Sequence, residues 1–121
     1  MKKTLLALTS LAGLALALTG CSSVGELVLL DKGVKNSVTC RDLSEKRLSD
    51  GRLQVAAQLR NLENRRIQVQ VDCQFQTADG LVIDSTPFQN VILTENSEED
   101  VQFVSMNDKA VRYSIRVREA R

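Results

Sequence analysis

Between Ile67 and Gln76 the chain alternates without a fault. Ile67, Val69, Val71, Cys73 and Phe75 fall on one parity; Gln68, Gln70, Asp72, Gln74 and Gln76 fall on the other. A side-chain period of two puts the apolar set on one face of an extended strand and the polar set on its back. A slip of one residue would bury four glutamines and an aspartate, so the pairing register is strongly specified. Such a segment belongs in an antiparallel sheet that rests on a core by one face and meets water with the other.

Two further segments share the pattern. Leu53, Val55, Ala57 and Leu59 alternate with Gln54, Ala56, Gln58 and Arg60; Val111, Tyr113, Ile115 and Val117 alternate with Arg112, Ser114, Arg116 and Arg118. Shorter apolar runs at Leu81–Ile83, Phe88–Leu93 and Val101–Val104 add strands. Turn residues separate them at Asp50-Gly51, Asn61–Asn64, Asp79-Gly80, the acidic Thr94–Asp100 stretch and Ser105–Lys109. Pro87 cannot donate a ladder hydrogen bond and marks a break or an edge. Val38 and Cys40 open a strand that is expected to fray into a charged loop over 42–50, and Ser22–Asn36 reads as a strand or a partly packed tether. No segment carries helical spacing. About seven short strands with regular turn signals predict an all-β fold, an immunoglobulin-like antiparallel β-sandwich.

The amino terminus has a different character. Met1-Lys2-Lys3-Thr4 is cationic, and the fourteen residues Leu5–Leu18 carry no charge. That run is too short for a membrane-spanning helix, which takes roughly twenty residues, and suits a cleaved signal peptide. Leu18-Thr19-Gly20-Cys21 closes it with a small residue directly before a cysteine, the arrangement of a bacterial lipobox. The expectation is that the Cys21 thiol receives a diacylglycerol, that residues 1–20 are removed, and that more than one acyl chain anchors the mature amino terminus. A plain secreted protein cut elsewhere is the alternative. Ser22 follows the cysteine where an aspartate would mark inner-membrane retention. The expected location is therefore the outer membrane, with the domain facing the periplasm. The expected organisation is a signal peptide at 1–20, an anchor and tether at 21–36, and a sandwich at 37–121.

Composition excludes several function classes. Losing Lys2 and Lys3 with the leader turns a formal charge of +1 into −1, a balance unsuited to nucleic acid or to anionic lipid as the main ligand. The chain has no tryptophan and only Phe75, Phe88, Phe103 and Tyr113 as aromatics, so stacking platforms for sugars or bases are scarce. It has no histidine, which removes Ser-His-Asp, Cys-His and histidine-containing zinc chemistry. Glu95, Glu98, Glu99 and Asp100 share one stretch but read as a solvated loop rather than a cation site. No enzyme, cofactor or metal is expected. Cys40 and Cys73 form an even pair that an oxidising compartment would allow to bridge; two separately buried thiols are the other possibility. Arg112, Arg116 and Arg118 project from one face of the last strand, with Arg121 beyond. They either guard a sheet edge or face against self-pairing, or form a docking strip for carboxylates or phosphates. The Gln68–Gln76 row is an ordinary wet face or an amide-rich docking surface.

The strand ending in Leu59-Arg60-Asn61, the alternating strand leading into Asp79-Gly80-Leu81-Val82-Ile83, the Phe88-Gln89-Asn90-Val91-Ile92-Leu93 stretch, the last alternating strand and the lipobox leader together resemble the YcfL-like family of small enterobacterial lipoproteins. The sequence departs from that pattern in having few aromatics on its central strand, with Cys73 where a large ring is expected. The resemblance implies an immunoglobulin-like sandwich on the periplasmic side of the outer membrane, and it supplies no catalytic residues. The function expected is a non-catalytic, lipid-anchored adaptor that binds a periplasmic or outer-membrane protein. The alternative is a carrier or sensor of a lipid or cell-wall fragment, which needs a pocket of at least ~300 Å³ between the sheets.

Overall fold

The computed structural model describes residues 24–120. The leader expected at 1–20, Cys21 with its expected lipid attachment, and Arg121 lie outside the described residues. In chain order the elements are β1 (Val24–Leu29), α1 (Lys32–Ser37), β2 (Val38–Arg47), β3 (Leu53–Asn61), β4 (Ile67–Gln76), β5 (Val82–Ser85), β6 (Gln89–Leu93), β7 (Glu98–Val104) and β8 (Arg112–Glu119). They form an all-β sandwich of two sheets. The first runs β1-β8-β4, and β4's outer edge is shared by β5 and β6; the second runs β2-β3-β7. Every pairing is antiparallel except that of β1 with β8.

The alternation of β4 and β3 sets the layers. Val69, Val71, Cys73 and Phe75 of the first sheet and Leu53, Val55, Ala57 and Leu59 of the second are all buried, and their inner faces close on one core. Pro87 falls where the edge of the first sheet is interrupted. There Thr86 takes over the ladder: its N–H donates to the Cys73 carbonyl at 3.0 Å, and its Oγ1 accepts from the Cys73 N–H at 3.0 Å. β5 and β6 are thus two halves of one broken edge.

Several expectations are corrected. Of the strand or partly packed tether read over Ser22–Asn36, the strand forms, and the sandwich begins at Val24 and not at 37: β1 pairs residue for residue with β8 from Val24–Arg112 to Leu29–Val117. The strand opened by Val38 and Cys40 does not fray at 42. A bulge at Arg41 shifts the inward parity from Val38 and Cys40 to Leu43, Glu45 and Arg47, opposite Ala57, Val55 and Leu53. The bulge broke the alternation and so hid the strand. The acidic residues Glu98–Asp100, expected in a turn, begin β7, where Glu98 meets Arg60 at 3.4 Å and Arg41 at 3.5 Å.

One short helix appears where none was expected. Asp31 caps α1 by accepting the Val34 N–H at 3.2 Å, and Val34 is buried against the core. The six-residue helix contains Gly33 and offers little intrinsic helix propensity, so the packing of Val34 holds it. Asp31 Oδ2 also accepts the Glu119 N–H at 3.1 Å, which ties the cap to the end of β8.

Asn61 is the polar knot at that same end of the sandwich. It is fully buried; its Nδ2 donates to the carbonyls of Arg65, Leu93 and Thr94 at 2.9–3.1 Å, and its Oδ1 accepts the Glu63 N–H at 2.9 Å. One amide therefore joins the end of β3 to the end of β6, across the two sheets. Asn61→Ala removes these partners together and should lower unfolding stability by about 1–3 kcal/mol, read as a lower urea midpoint at unchanged slope.

Cys40 and Cys73 are free thiols in this structure, the first half-buried and the second buried. Cys73 sits mid-strand on β4 facing the core, while Cys40 lies on the edge strand β2 and donates to the Asp42 carbonyl at 3.3 Å. Burial, reinforced by the charges of Asp72 and Asp84, pushes the Cys73 thiol from 9.0 up to about 12. Intact mass under non-reducing conditions should therefore show no bridge, and Cys73 should resist alkylation until the fold opens. The unfolded thiol ionises near pH 9.0 and the folded one only near 12, so the folded state loses stability as pH rises through that interval. Chemical denaturation from pH 8 to 11 should show this decline, and Cys73→Ala should reduce it, leaving the part owed to Cys40 and Tyr113, whose ionisation burial also holds back.

Candidate functional site

The outer face of the first sheet is where the sequence's polar rows meet. β8 is a central strand, flanked by β1 and β4, so its arginines stand on a face and do not guard an edge. The register sets Asp72 opposite Arg116, Gln70 opposite Arg118 and Gln76 opposite Arg112. Antiparallel pairing thereby turns two alternating sequences into a lattice of opposed amides, acid and guanidinium groups.

Asp72 breaks the expectation of a uniformly wet row. Its side chain is only 3% exposed, and Arg116 closes over it with a two-pronged ion pair, Nε donating to Oδ1 at 2.9 Å and Nη2 to Oδ2 at 2.5 Å. Those hydrogen bonds hold the Arg116 guanidinium still more firmly protonated. Val71 pairs with Gln89, so one further step of the register brings Phe88 opposite Asp72. The Phe88 ring lies beneath two of the three guanidinium groups of β8, with the Arg118 Cζ 3.6 Å and the Arg116 Cζ 5.3 Å from its centroid. A cation over an aromatic face gains about 0.5–2 kcal/mol, more as water is excluded.

Arg118 is oriented from the other side. Its Nε donates to Gln70 Oε1 at 2.9 Å, and Gln70 Nε2 donates to Asn90 Oδ1 at 3.1 Å, a relay running from β8 across β4 to β6. Both Nη groups of Arg118 lack a hydrogen-bond partner among the described residues. A flat guanidinium fixed by a ring and by an amide, with its fork unused and exposed, is prepared for a carboxylate or a phosphate oxygen pair. Ile92, on the same face opposite Gln68, adds an exposed apolar side chain at the margin.

The three-arginine strip is therefore split. Arg112 lies four residues before Arg116, about 13 Å along the strand, and its Nη1 donates to the Ala78 carbonyl at 3.2 Å. It braces a turn and is not part of the arginine–phenylalanine group. Phe88 and Asp72 were not singled out by the sequence reading. Asp72 carried a signal, being the one acid on the polar parity of its strand; nothing local marked Phe88, whose position depends on the break at Pro87. Among the described residues no group of three or more His, Cys, Asp or Glu is placed to hold a metal ion, and the acidic Glu98 is already paired with Arg41 and Arg60.

Fold and face together define a two-sheet β-sandwich module whose organised surface is a sheet face and not a cleft. The chain belongs to the DUF1425 family, described as proteins of unknown function, whose profile matches residues 25–119 and so includes β1. A DUF1425 family member from Shewanella sp. pv-4 shares the fold with a TM-score of 0.64 at 20% identity, over 76% of this chain and 87% of that one. The Campylobacter jejuni protein cj0090 does so with a TM-score of 0.61 at 13% identity, over 78% of this chain and 97% of that one. No curated protein matches the chain.

The ion pair generates an asymmetric prediction. Arg116→Ala strands Asp72 without its partner in a dry place and should cost about 3–5 kcal/mol. Arg118→Ala removes an exposed stacking partner and should cost no more than about 1 kcal/mol. Urea unfolding of the two variants measures the difference directly.

Proposed function

We propose that this chain is a lipid-anchored envelope lipoprotein of the YcfL-like kind, and that it works as a non-catalytic adaptor. Cys21 carries the lipid that holds it at the outer membrane, with the sandwich in the periplasm. The outer face of the first sheet receives a carboxylate-bearing segment of a periplasmic or outer-membrane protein. The observation that carries this reading is Arg118, held flat between Phe88 and Gln70 with its fork unspent. Phe88 and Ile92 supply apolar contact beside that charge, the pairing of ring and guanidinium that binding hot spots favour.

A carrier of lipid or cell-wall fragments would use the space between the sheets. That space is filled by Val55, Leu59, Val71, Cys73, Phe75 and Ile115, all fully buried. The adaptor reading is the better supported of the two.

A photo-crosslinking residue at Ile92 in growing cells should yield a discrete adduct, while one at Gln102 on the outer face of the second sheet should not. Arg118→Ser should weaken the Ile92 adduct about tenfold or more. Absence of any discrete adduct from the first-sheet face would overturn the docking assignment. For the anchor, Cys21→Ser should leave an unprocessed, unlipidated precursor; normal processing of that variant would remove the lipoprotein reading.

A further inference from the structure

The end of the sandwich where β1 begins differs from the opposite end. Three loops converge on it: Leu48–Arg52, Thr77–Leu81 and Ser105–Val111. They are tied to one another and to the strands. Arg47 Nη1 donates to the Ala110 carbonyl at 2.8 Å, Arg112 Nη1 donates to the Ala78 carbonyl at 3.2 Å, and the Val111 N–H donates to the Gln76 carbonyl at 3.0 Å. The Met106 N–H donates to Asp84 Oδ2 at 2.6 Å, which fastens its loop to β5, the strand that Val82 opens directly after Leu81. Within the loops, the Ser105 N–H reaches the Leu53 carbonyl and the Lys109 N–H reaches Asn107 Oδ1, each at 2.9 Å.

These braced loops nevertheless carry the most exposed apolar side chains among the described residues. Met106 is 79% exposed and Leu81 63%, with Val82 beside it at 45%. Two well-fixed loops at one end of the sandwich thus hold a methionine and a leucine out into water. Exposed apolar side chains gathered at one end mark a surface for contact with a partner or a membrane.

Chain length decides which. Val24 is paired with Arg112, so the strand starts at this same end. Only Ser22 and Ser23 separate Val24 from Cys21. Three residue steps of extended chain span at most about 11 Å. With Cys21 acylated, the reading on which this inference rests, that end of the sandwich cannot stand further than this from the lipid headgroups.

We infer that the loop end of the sandwich is a membrane-contacting surface, with Met106 and Leu81 entering the headgroup region of the leaflet that holds the acyl chains. The contact is apolar in kind. Arg47 and Arg112 are already engaged with backbone carbonyls and Arg52 is paired with Asp50 at 2.8 Å; the exposed Lys46 and Lys109 that remain are balanced by the exposed Asp79 and Asp108, so the patch is not a polybasic site for anionic lipid. Its work is orientational. Acyl chains alone leave a tethered domain free to tumble, whereas two side chains seated beside the anchor fix which end faces the bilayer.

The chain contains no tryptophan, so one introduced residue reports its own surroundings. The full lipidated protein carrying Met106→Trp is reconstituted into vesicles of phosphatidylethanolamine with a minority of phosphatidylglycerol, with and without brominated acyl chains. Leu62→Trp, at the exposed position beyond the other end of β3, serves as reference. Blue-shifted emission at position 106, quenched by bromolipid several-fold more strongly than at position 62, is the expected result. Equal and weak quenching at both positions, in protein that floats with the vesicles, would overturn the contact while leaving the anchor intact. Protein that fails to float would remove the anchor and the contact together.

Discussion

A carboxylate taken out of water must be given something to hold. Asp72 sits mid-strand on the side of β4 that its glutamine neighbours share with solvent, yet its own side chain is almost wholly covered. An isolated charge in that position would cost several kcal/mol. The Arg116 fork answers it with two hydrogen bonds, and the geometry of a fork on a carboxylate tolerates little rotation. Much follows from that one pairing. It pins the register of β4 against β8, the pair of strands that carries most of the first sheet. It fixes the Arg116 guanidinium against the Phe88 ring, and the ring in turn offers its remaining surface to Arg118.

The edges of the sandwich obey a different economy. β1 pairs with the last strand, so residues nearly a whole domain apart in sequence close the first sheet. Gly25 makes the closure possible: a Cβ there would sit 1.9 Å from the Tyr113 ring, which lies across the glycine. The second sheet ends in β7, where Glu99 falls on the inward parity opposite Leu59 while Glu98 and Asp100 fall on the outer parity. An inward charge on an edge strand discourages further strands from adding to it. The family match begins at residue 25, within β1, so this first strand belongs to the module and is not a leader to it.

What could be read from the sequence was what rests on period two. β3, β4 and β8 were legible because each has one wet and one dry face, and the turn chemistry at Asp50-Gly51 and Asp79-Gly80 separated them. The far half of β2 was not legible, because the bulge at Arg41 inverts parity in mid-strand, so no single alternation spans the element. α1 was hidden because its one buried side chain, Val34, leaves no periodic trace in six residues. At the candidate site the arginines were visible as a row, but grouping them needed the third dimension. Arg112 left the group because a turn carbonyl lay within its reach. Phe88 entered because the edge strand breaks just before it. Proximity across a sheet is set by register, and register is a property of pairs of strands that neither strand carries alone.

The strength expected of this face bears on how it is used. A charge-assisted hydrogen bond is worth about 1.5–3 kcal/mol net, and an aromatic and an isoleucine at the margin add little more than the same again. Such a patch binds a freely diffusing ligand near the millimolar range, where binding free energy is about 4 kcal/mol. A partner confined to the same leaflet is a different case. Arg118, opposite Gln70, stands about 20 Å up the strands from Gln76, and the proposed anchor adds at most about 11 Å more, so its fork would lie within about 31 Å of the bilayer. Two proteins held to one surface meet at effective concentrations that reach the millimolar, enough to occupy a site of this affinity. On the proposed reading the modest size of the arginine–phenylalanine group suits the arrangement: the site would be too weak to capture ligands from solution and strong enough for a neighbour anchored in the same leaflet.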